Sequence, residues 1–362
     1  MRIVVQPRPQ GIALIIVMIV IVVLGVLAGG FAYSMKVETR LAQNGSFDTE
    51  LEWMGRSGVE LARYVLSHSV NLPNEPWDAL NQKWAGGPKG TNDVLEGVSL
   101  EHNELGKGSF SIKITDMERK LNINVASEGV LQQALLVVGV DPALTTTIVD
   151  SFLDWRDFDE NPHFSGAESE DYIANPNPGF APYMAKNGPI DDISELFLIR
   201  GVTEEMYWGP TGRERAKREF ESPNFAPLSL TEATGSVGLI DLFTPISSGT
   251  LNINTAAAGA LQLIPGVDAS LAQAIIQTRS GLDAVEGTED DVPFRTPGEL
   301  INVPGMIPQF IQGLQGVLAV RSLTFEVVVE ARIGQYKRQY VALLRRNAIN
   351  PRDVHLLYFH WK

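Results

Sequence analysis

The chain has 362 residues, of which 44% are apolar, which is enough for two folded domains beyond any membrane segment. A formal charge of −14 opposes binding to polyanions, so nucleic acid is not an expected partner. The absence of cysteine excludes disulfides, thiolate metal sites and cysteine nucleophiles, and leaves the compartment open.

Gly11 to Tyr33 carries no charged residue. At about 1.5 Å per residue a helix of this length crosses a hydrocarbon core about 30 Å thick. Arg2 and Arg8 precede it, whereas Lys36 and Arg40 beyond it are accompanied by Glu38. The positive-inside rule then predicts a single-pass protein with a cytoplasmic N-terminus and its bulk across the membrane. A cleaved signal peptide is a second reading, with Val26-Leu27-Ala28 as the cleavage site, although the apolar run exceeds the roughly 7–15 residues usual for one. A third reading fits better. The stretch MRIVVQPRPQ-G-IALII resembles a prepilin-type leader, a short basic segment ending in glycine before the apolar helix. That resemblance implies cleavage by a prepilin peptidase after Gly11, methylation of the new N-terminal residue Ile12, and retention of the helix as an anchor. Most pilins and pseudopilins carry a glutamate at the fifth mature position, where this chain has Ile16. A subunit without that carboxylate is poorly suited to pairing with a neighbour's buried ammonium, because a lone buried ion costs several kcal/mol, roughly. A terminal place in a filament removes the problem.

Beyond the anchor, Leu51, Met54, Gly58, Leu61 and Val65 recur at helical spacing with Glu52, Arg56, Glu60 and Arg63 between them. This predicts an amphipathic helix, kinked at Gly45-Ser46 and ended by Asn71–Pro76. The pattern suits a pilin or any other single-pass protein. Trp77–Asp93 reads as a loop and lacks the Gly-Lys-Ser/Thr of a phosphate-binding loop. Strands are expected near Gly97–Glu101 and Ser109–Thr115, and a hairpin over Leu323–Arg332 and Gln335–Arg345, with Phe325, Val327, Val329 and Ala331 on one face. A sheet split this far apart in sequence implies an insertion, roughly Arg119 to Val320.

The insertion contains a repeat. Leu121-Asn122-Ile123-Asn124-Val125-Ala126 returns as Leu251-Asn252-Ile253-Asn254-Thr255-Ala256, and Val138-Gly139-Val140-Asp141 as Pro265-Gly266-Val267-Asp268. A looser match relates Asp192–Leu196 with Gly201-Val202 to Thr296–Leu300 with Gly305-Met306. Four hairpin-like helical units are implied. The pattern resembles helix-hairpin-helix modules, including those of the membrane-anchored competence DNA receptor, which supplies the rival reading. In DNA-binding versions the hairpin presents backbone N–H groups to a phosphate. Asp141 and Asp268 stand at the end of these hairpins, where a carboxylate would repel that phosphate, so the repeats read as packing units.

One stretch carries chemistry. Asp154 to Glu168 concentrates oxygen donors after a helix. With Asp157 at position 1 of a calcium loop, Asp159 falls at 3, Asn161 at 5 and Glu168 at 12. Pro162 replaces the glycine such a loop needs at position 6, so an irregular loop is expected. The plain alternative is a solvated acidic surface. Glu286, Glu289, Asp290 and Asp291 form a second cluster with no recognisable spacing, read as solvated surface. No Gly-x-Ser-x-Gly, His-Glu-x-x-His or nucleotide fingerprint is present, and the five histidines are scattered, so no enzyme is expected. The apolar tail Leu356–Trp361 is expected to pack into the core.

The leader, the missing glutamate, the large domain and the helical insertion together resemble the K-type minor pseudopilins of the type II secretion system. The resemblance implies an α+β fold in which a pilin-like long N-terminal helix packs on an antiparallel sheet, with a large inserted all-α domain containing two related helix-hairpin-helix-like repeats. The implied segments are a leader at 1–11, a transmembrane or filament-core helix at 12–35, the amphipathic helix and first strands at 36–118, the insertion at 119–320, and the last strands and tail at 321–362. It also implies Ca²⁺ in the insertion: Asp154, Asp157, Asp159 and Glu168 match the family's Asp-Trp-x-Asp-x-Asp…Gly-Ala-Glu run, and Asn161 and Asp171 complete the expected donor set. The implied role is at the tip of the pseudopilus, nucleating its assembly with other minor pseudopilins and helping folded proteins cross the outer membrane. The implied partners are the major pseudopilin, the prepilin peptidase, the inner membrane, and exoproteins or the outer-membrane secretin.

Overall fold

The computed structural model describes residues 10–70, 72, 75–90, 94–210, 237–308 and 316–362. Most of the expected leader, Met1–Pro9, lies outside them. Helix α1 (Gln10–Ser69) opens the chain and runs unbroken through Gly45-Ser46, where a kink was expected. The one glycine there costs helix propensity of only about 1 kcal/mol, too little to break a helix held by packing downstream. From Ile12 to Val37 the large apolar side chains of α1 are exposed, and among the described residues α1 is the one helix long and apolar enough to cross a membrane.

Further along α1, Leu51, Met54, Val59, Ala62, Val65 and Leu66 are buried. They pack on a five-stranded antiparallel sheet ordered β1-β2-β7-β8-β9, in which β1 is Asn103–Leu105, β2 Gly108–Asp116, β7 Thr324–Ile333, β8 Tyr336–Arg346 and β9 Val354–Trp361. Period-two alternation places Ile112, Ile114, Phe325, Val327, Val329 and Ala331 in the core beneath α1. Close approach requires small residues on the helix. A Cβ on Gly58 would lie 2.5 Å from Val329 Cγ1, and one on Gly55 2.5 Å from Tyr340 Cδ2. The first strand falls at Asn103–Leu105 rather than at Gly97–Glu101, because the tight turn at Gly106 (φ 61°) selects the residues next to it as the partner of β2. The tail also differs from expectation. It adds to the sheet edge as β9 through its backbone, and Leu356, Leu357, Tyr358 and Trp361 stay exposed.

Asp116 of β2 faces Phe325 of β7, so residues 117–323 leave and rejoin the sheet between neighbouring antiparallel strands. This insertion has its own apolar core, built on Ile123, Ile148, Phe152, Trp155, Tyr172, Leu196, Leu261 and Ile275, separate from the core under α1. It is not wholly helical. Two short parallel pairs join β3 (Leu121–Asn122) to β4 (Phe243–Thr244) and β5 (Leu251–Asn252) to β6 (Leu318–Ala319), because the repeated Leu-Asn segments find extended neighbours inside the domain.

Equivalent residues of the two repeated segments make equivalent bonds. Asn122 Oδ1 accepts from Asn124 N at 2.8 Å, and Asn252 Oδ1 from Asn254 N at 2.9 Å. Asn124 exchanges a pair of hydrogen bonds with the backbone of Ile190, and Asn254 does the same with Phe294. Arg156 donates to the carbonyls of Ile123 and Ala126, and Arg279 to those of Ile253 and Ala256. Asp141 and Asp268 cap the following helices by accepting from Ala143 N and Leu271 N. An N-cap accounts for aspartate at the end of each hairpin without any phosphate.

Candidate metal centre

Helices α2 (Glu128–Val138) and α3 (Pro142–Arg156) form the first hairpin, and the acidic stretch leaves the C-terminus of α3. The buried face of α3, carrying Ile148, Phe152 and Trp155, anchors it, and the Trp155 ring meets that of Tyr172 edge-on at 5.5 Å. Tyr172 belongs to α4 (Ser169–Ala174), whose N-cap is Glu168. That aromatic contact brings both ends of the acidic loop together.

Asp154 is 0% and Glu168 3% exposed, although both are carboxylates. Side-chain oxygens of Asp157, Asp159 and Glu168 lie within 4.8 Å of one another, as do ligand atoms of Asp154, Asp157 and His163. Asp154 Oδ2, Asp157 Oδ1 and both Glu168 carboxylate oxygens are buried without a hydrogen-bond donor. Burial first, then the charges of Asp154, Asp157, Glu160 and Asp159, push the Glu168 carboxyl up to about 7. Burial likewise raises Asp157, whereas bonds from Asn161 lower Asp159. Uncompensated buried carboxylates are costly, and a hard divalent cation supplies the missing charge and takes six to eight oxygen donors, typically. The orphaned oxygens and the absence of sulfur donors fit such an ion.

Asn161 and Asp171 also make bonds within the loop. Asn161 donates to Asp159 Oδ1 through both its backbone N and its Nδ2, at 2.9 and 2.8 Å. Asp171 Oδ2 accepts from Glu168 N at 3.2 Å, capping α4, and its Oδ1 lies 3.7 Å from Arg200 Nη1. Three further contacts hold the loop: His163 on Asp154, a hydrogen-bonding loop histidine as its place in the acidic run suggests, Asp150 holding Ser165 N at 2.9 Å, and Asn187 Nδ2 donating to Asp159 O at 2.8 Å. The last two have no local spacing signal, since each depends on how the loop folds back. The second acidic cluster is only partly solvated: Glu289 is exposed, whereas the other three carboxylates find partners within the chain. Glu286 pairs with the buried Arg279, Asp291 is buried and accepts from Gly287 N, and Asp290 accepts from Leu282 N, Asp283 N and Thr288 Oγ1, bonds that pull its carboxyl down to about 2. Turns at Gly281 and Gly287 fold this loop onto itself, so Glu286, Asp290 and Asp291 serve the chain's own donors.

The matching family model, described as type II secretion system protein K, covers residues 108–208, the segment that holds the acidic loop. A type II secretion system protein K from Pseudomonas aeruginosa is 25% identical over 346 residues, spanning 93% of this chain and 89% of that protein. Over nearly its whole length the chain is similar to type II secretion system protein K. These similarities support a minor pseudopilin of that secretion system. A second family member, from Klebsiella pneumoniae, is 25% identical over 214 residues, 55% of this chain and 60% of that protein. Among solved structures, the GspK-GspI-GspJ complex of the enterotoxigenic Escherichia coli type 2 secretion system contains a chain that shares the fold. The TM-score is 0.60 at 17% identity, covering 89% of this chain and 99% of that one. The DNA-receptor alternative finds no support among these relatives.

Proposed function

We propose that this K-family minor pseudopilin works without catalysis at the distal tip of the pseudopilus, where it starts assembly with other minor pseudopilins and presents a broad surface to exported proteins or the outer-membrane channel. The observation that carries the reading is the insertion of residues 117–323 between two neighbouring strands, which makes the globular part far wider than one helix of a filament. A wide subunit disturbs packing above it and is tolerated at an end. Ile16, where a neighbour's ammonium would meet no carboxylate, agrees with a terminal place. The exposed apolar stretch of α1 fits transfer from the bilayer to a helical bundle, after cleavage at Gly11 and methylation of Ile12. The orientation proposed is a cytoplasmic N-terminus, a single inner-membrane pass and a periplasmic domain.

Within that domain, Asp154, Asp157, Asp159 and Glu168 are proposed to hold Ca²⁺. The bound ion neutralises converging carboxylates and orders the loop. The chain's own residues do the rest: α3 and α4 fix the two ends, and Asn161 and Asp171 brace Asp159 and the α4 N-terminus. Cysteine crosslinking tests the tip, since the native chain has no cysteine to interfere. Pairs placed in α1 are expected to capture neighbours on one side only, and capture by major pseudopilins above as well as below excludes a tip. Intact mass from the native host is expected to start at methylated Ile12.

A further inference from the structure

We propose that His163 is a positioning residue for the cation site, holding Asp154 so that one carboxylate oxygen is occupied by donors and the other is turned free toward the ion. This rests on the calcium reading above. Two groups of one residue converge on the same atom: the backbone N–H of His163 donates to Asp154 Oδ1 at 2.9 Å, and the ring Nδ1–H donates to Oδ1 as well. Asp154 Oδ2 is buried and receives no donor. A carboxylate with both donors on one oxygen has its second oxygen left as the strongest available acceptor.

A second constraint acts from the other side. A Cβ on Gly166 would overlap Asp154 Oδ2, so that oxygen sits against backbone in space only glycine leaves. The histidine side chain is 44% exposed, so the imidazole fills no core void. Its removal deletes a bond to a ligand without opening a cavity. Partners beyond the ligands commonly tune metal affinity 10–100-fold, roughly, by orienting the ligand they touch.

The test titrates Ca²⁺ into the full chain in detergent by calorimetry, for wild type, His163→Ala and His163→Asn, with melting temperatures measured in chelator and in Ca²⁺. Asparagine places an N–H donor near the position of Nδ1. H163A is expected to weaken Ca²⁺ binding about tenfold. Its metal-free melting temperature is expected to stay within about 2 °C of wild type, and H163N is expected to recover most of the affinity. Wild-type affinity in H163A overturns the inference. So does an H163N no better than H163A, or an H163A that loses as much stability in chelator as in Ca²⁺, which marks a merely structural residue. Absence of any Ca²⁺ response in the wild-type chain overturns the calcium reading itself and the inference with it.

Discussion

Arg346 Nη1 lies 2.7 Å from Asp78 Oδ2, with side chains only 2% and 5% exposed. Asp78 follows α1 and Arg346 ends β8, and the guanidinium also reaches Leu66 O and Ser69 Oγ of α1. Helix, loop and sheet therefore meet at one buried charge. Breaking such a pair leaves an ion without compensation, typically at about 3–5 kcal/mol. Asp78→Ala is expected to lower the urea midpoint of the detergent-solubilised chain accordingly, and Arg346→Met added to it is expected to recover part of the loss. A single variant as stable as wild type contradicts this.

At Gly58, α1 packs closely on β7. Gly58→Leu forces the helix off Val329 and Ile112, and overpacking of this kind costs about 1–3 kcal/mol. Gly45→Ala is the control, because a Cβ there meets nothing within 4 Å and helix propensity alone should stabilise α1 slightly. Thermal unfolding of both variants should move in opposite directions.

The two repeated arginines are not equivalent in burial. Arg279 is 3% exposed and ion-paired with Glu286, whereas Arg156 donates to the matching carbonyls with no ion pair among the described residues. Arg279→Ala strands a buried carboxylate, and Arg156→Ala does not. Chemical denaturation should show the larger loss for R279A, about 3–5 kcal/mol.

Glu168 predicts a pH dependence that calcium changes. Its folded carboxyl is raised to about 7 from 4.5, so between these values the metal-free folded chain keeps a proton that the unfolded chain releases. Metal-free stability should therefore fall as pH rises from about 4.5 to 7 and level off above. Calcium binds the ionised form, so the stabilisation it adds should grow over the same interval. Calorimetric scans at several pH values, in chelator and in Ca²⁺, check both slopes. A calcium increment that is flat with pH would exclude Glu168 as a ligand.

Much of this arrangement was legible because it is written in local periodicity. The Leu51, Met54, Val65 stripe, the alternation around Val327 and the repeated Leu-Asn-Ile-Asn motif each report the face a segment buries. The acidic run from Asp154 to Glu168 was visible as composition, but the bonds its residues make to one another were not. Asn161 bonds to a neighbouring carboxylate and Asp171 caps a helix.

The sequence by itself determined the apolar N-terminal helix, the sheet split by an insertion and the repeated Leu-Asn-Ile-Asn segments, because these follow from patterns within a few residues. Only the tertiary structure decided that Asp154 Oδ2 and both Glu168 carboxylate oxygens are buried without donors, that His163 bonds to Asp154 Oδ1, and that Asp78 finds Arg346. Burial and hydrogen-bond pairing depend on which distant segments arrive beside a residue, and a carboxylate's own sequence neighbours carry no record of that.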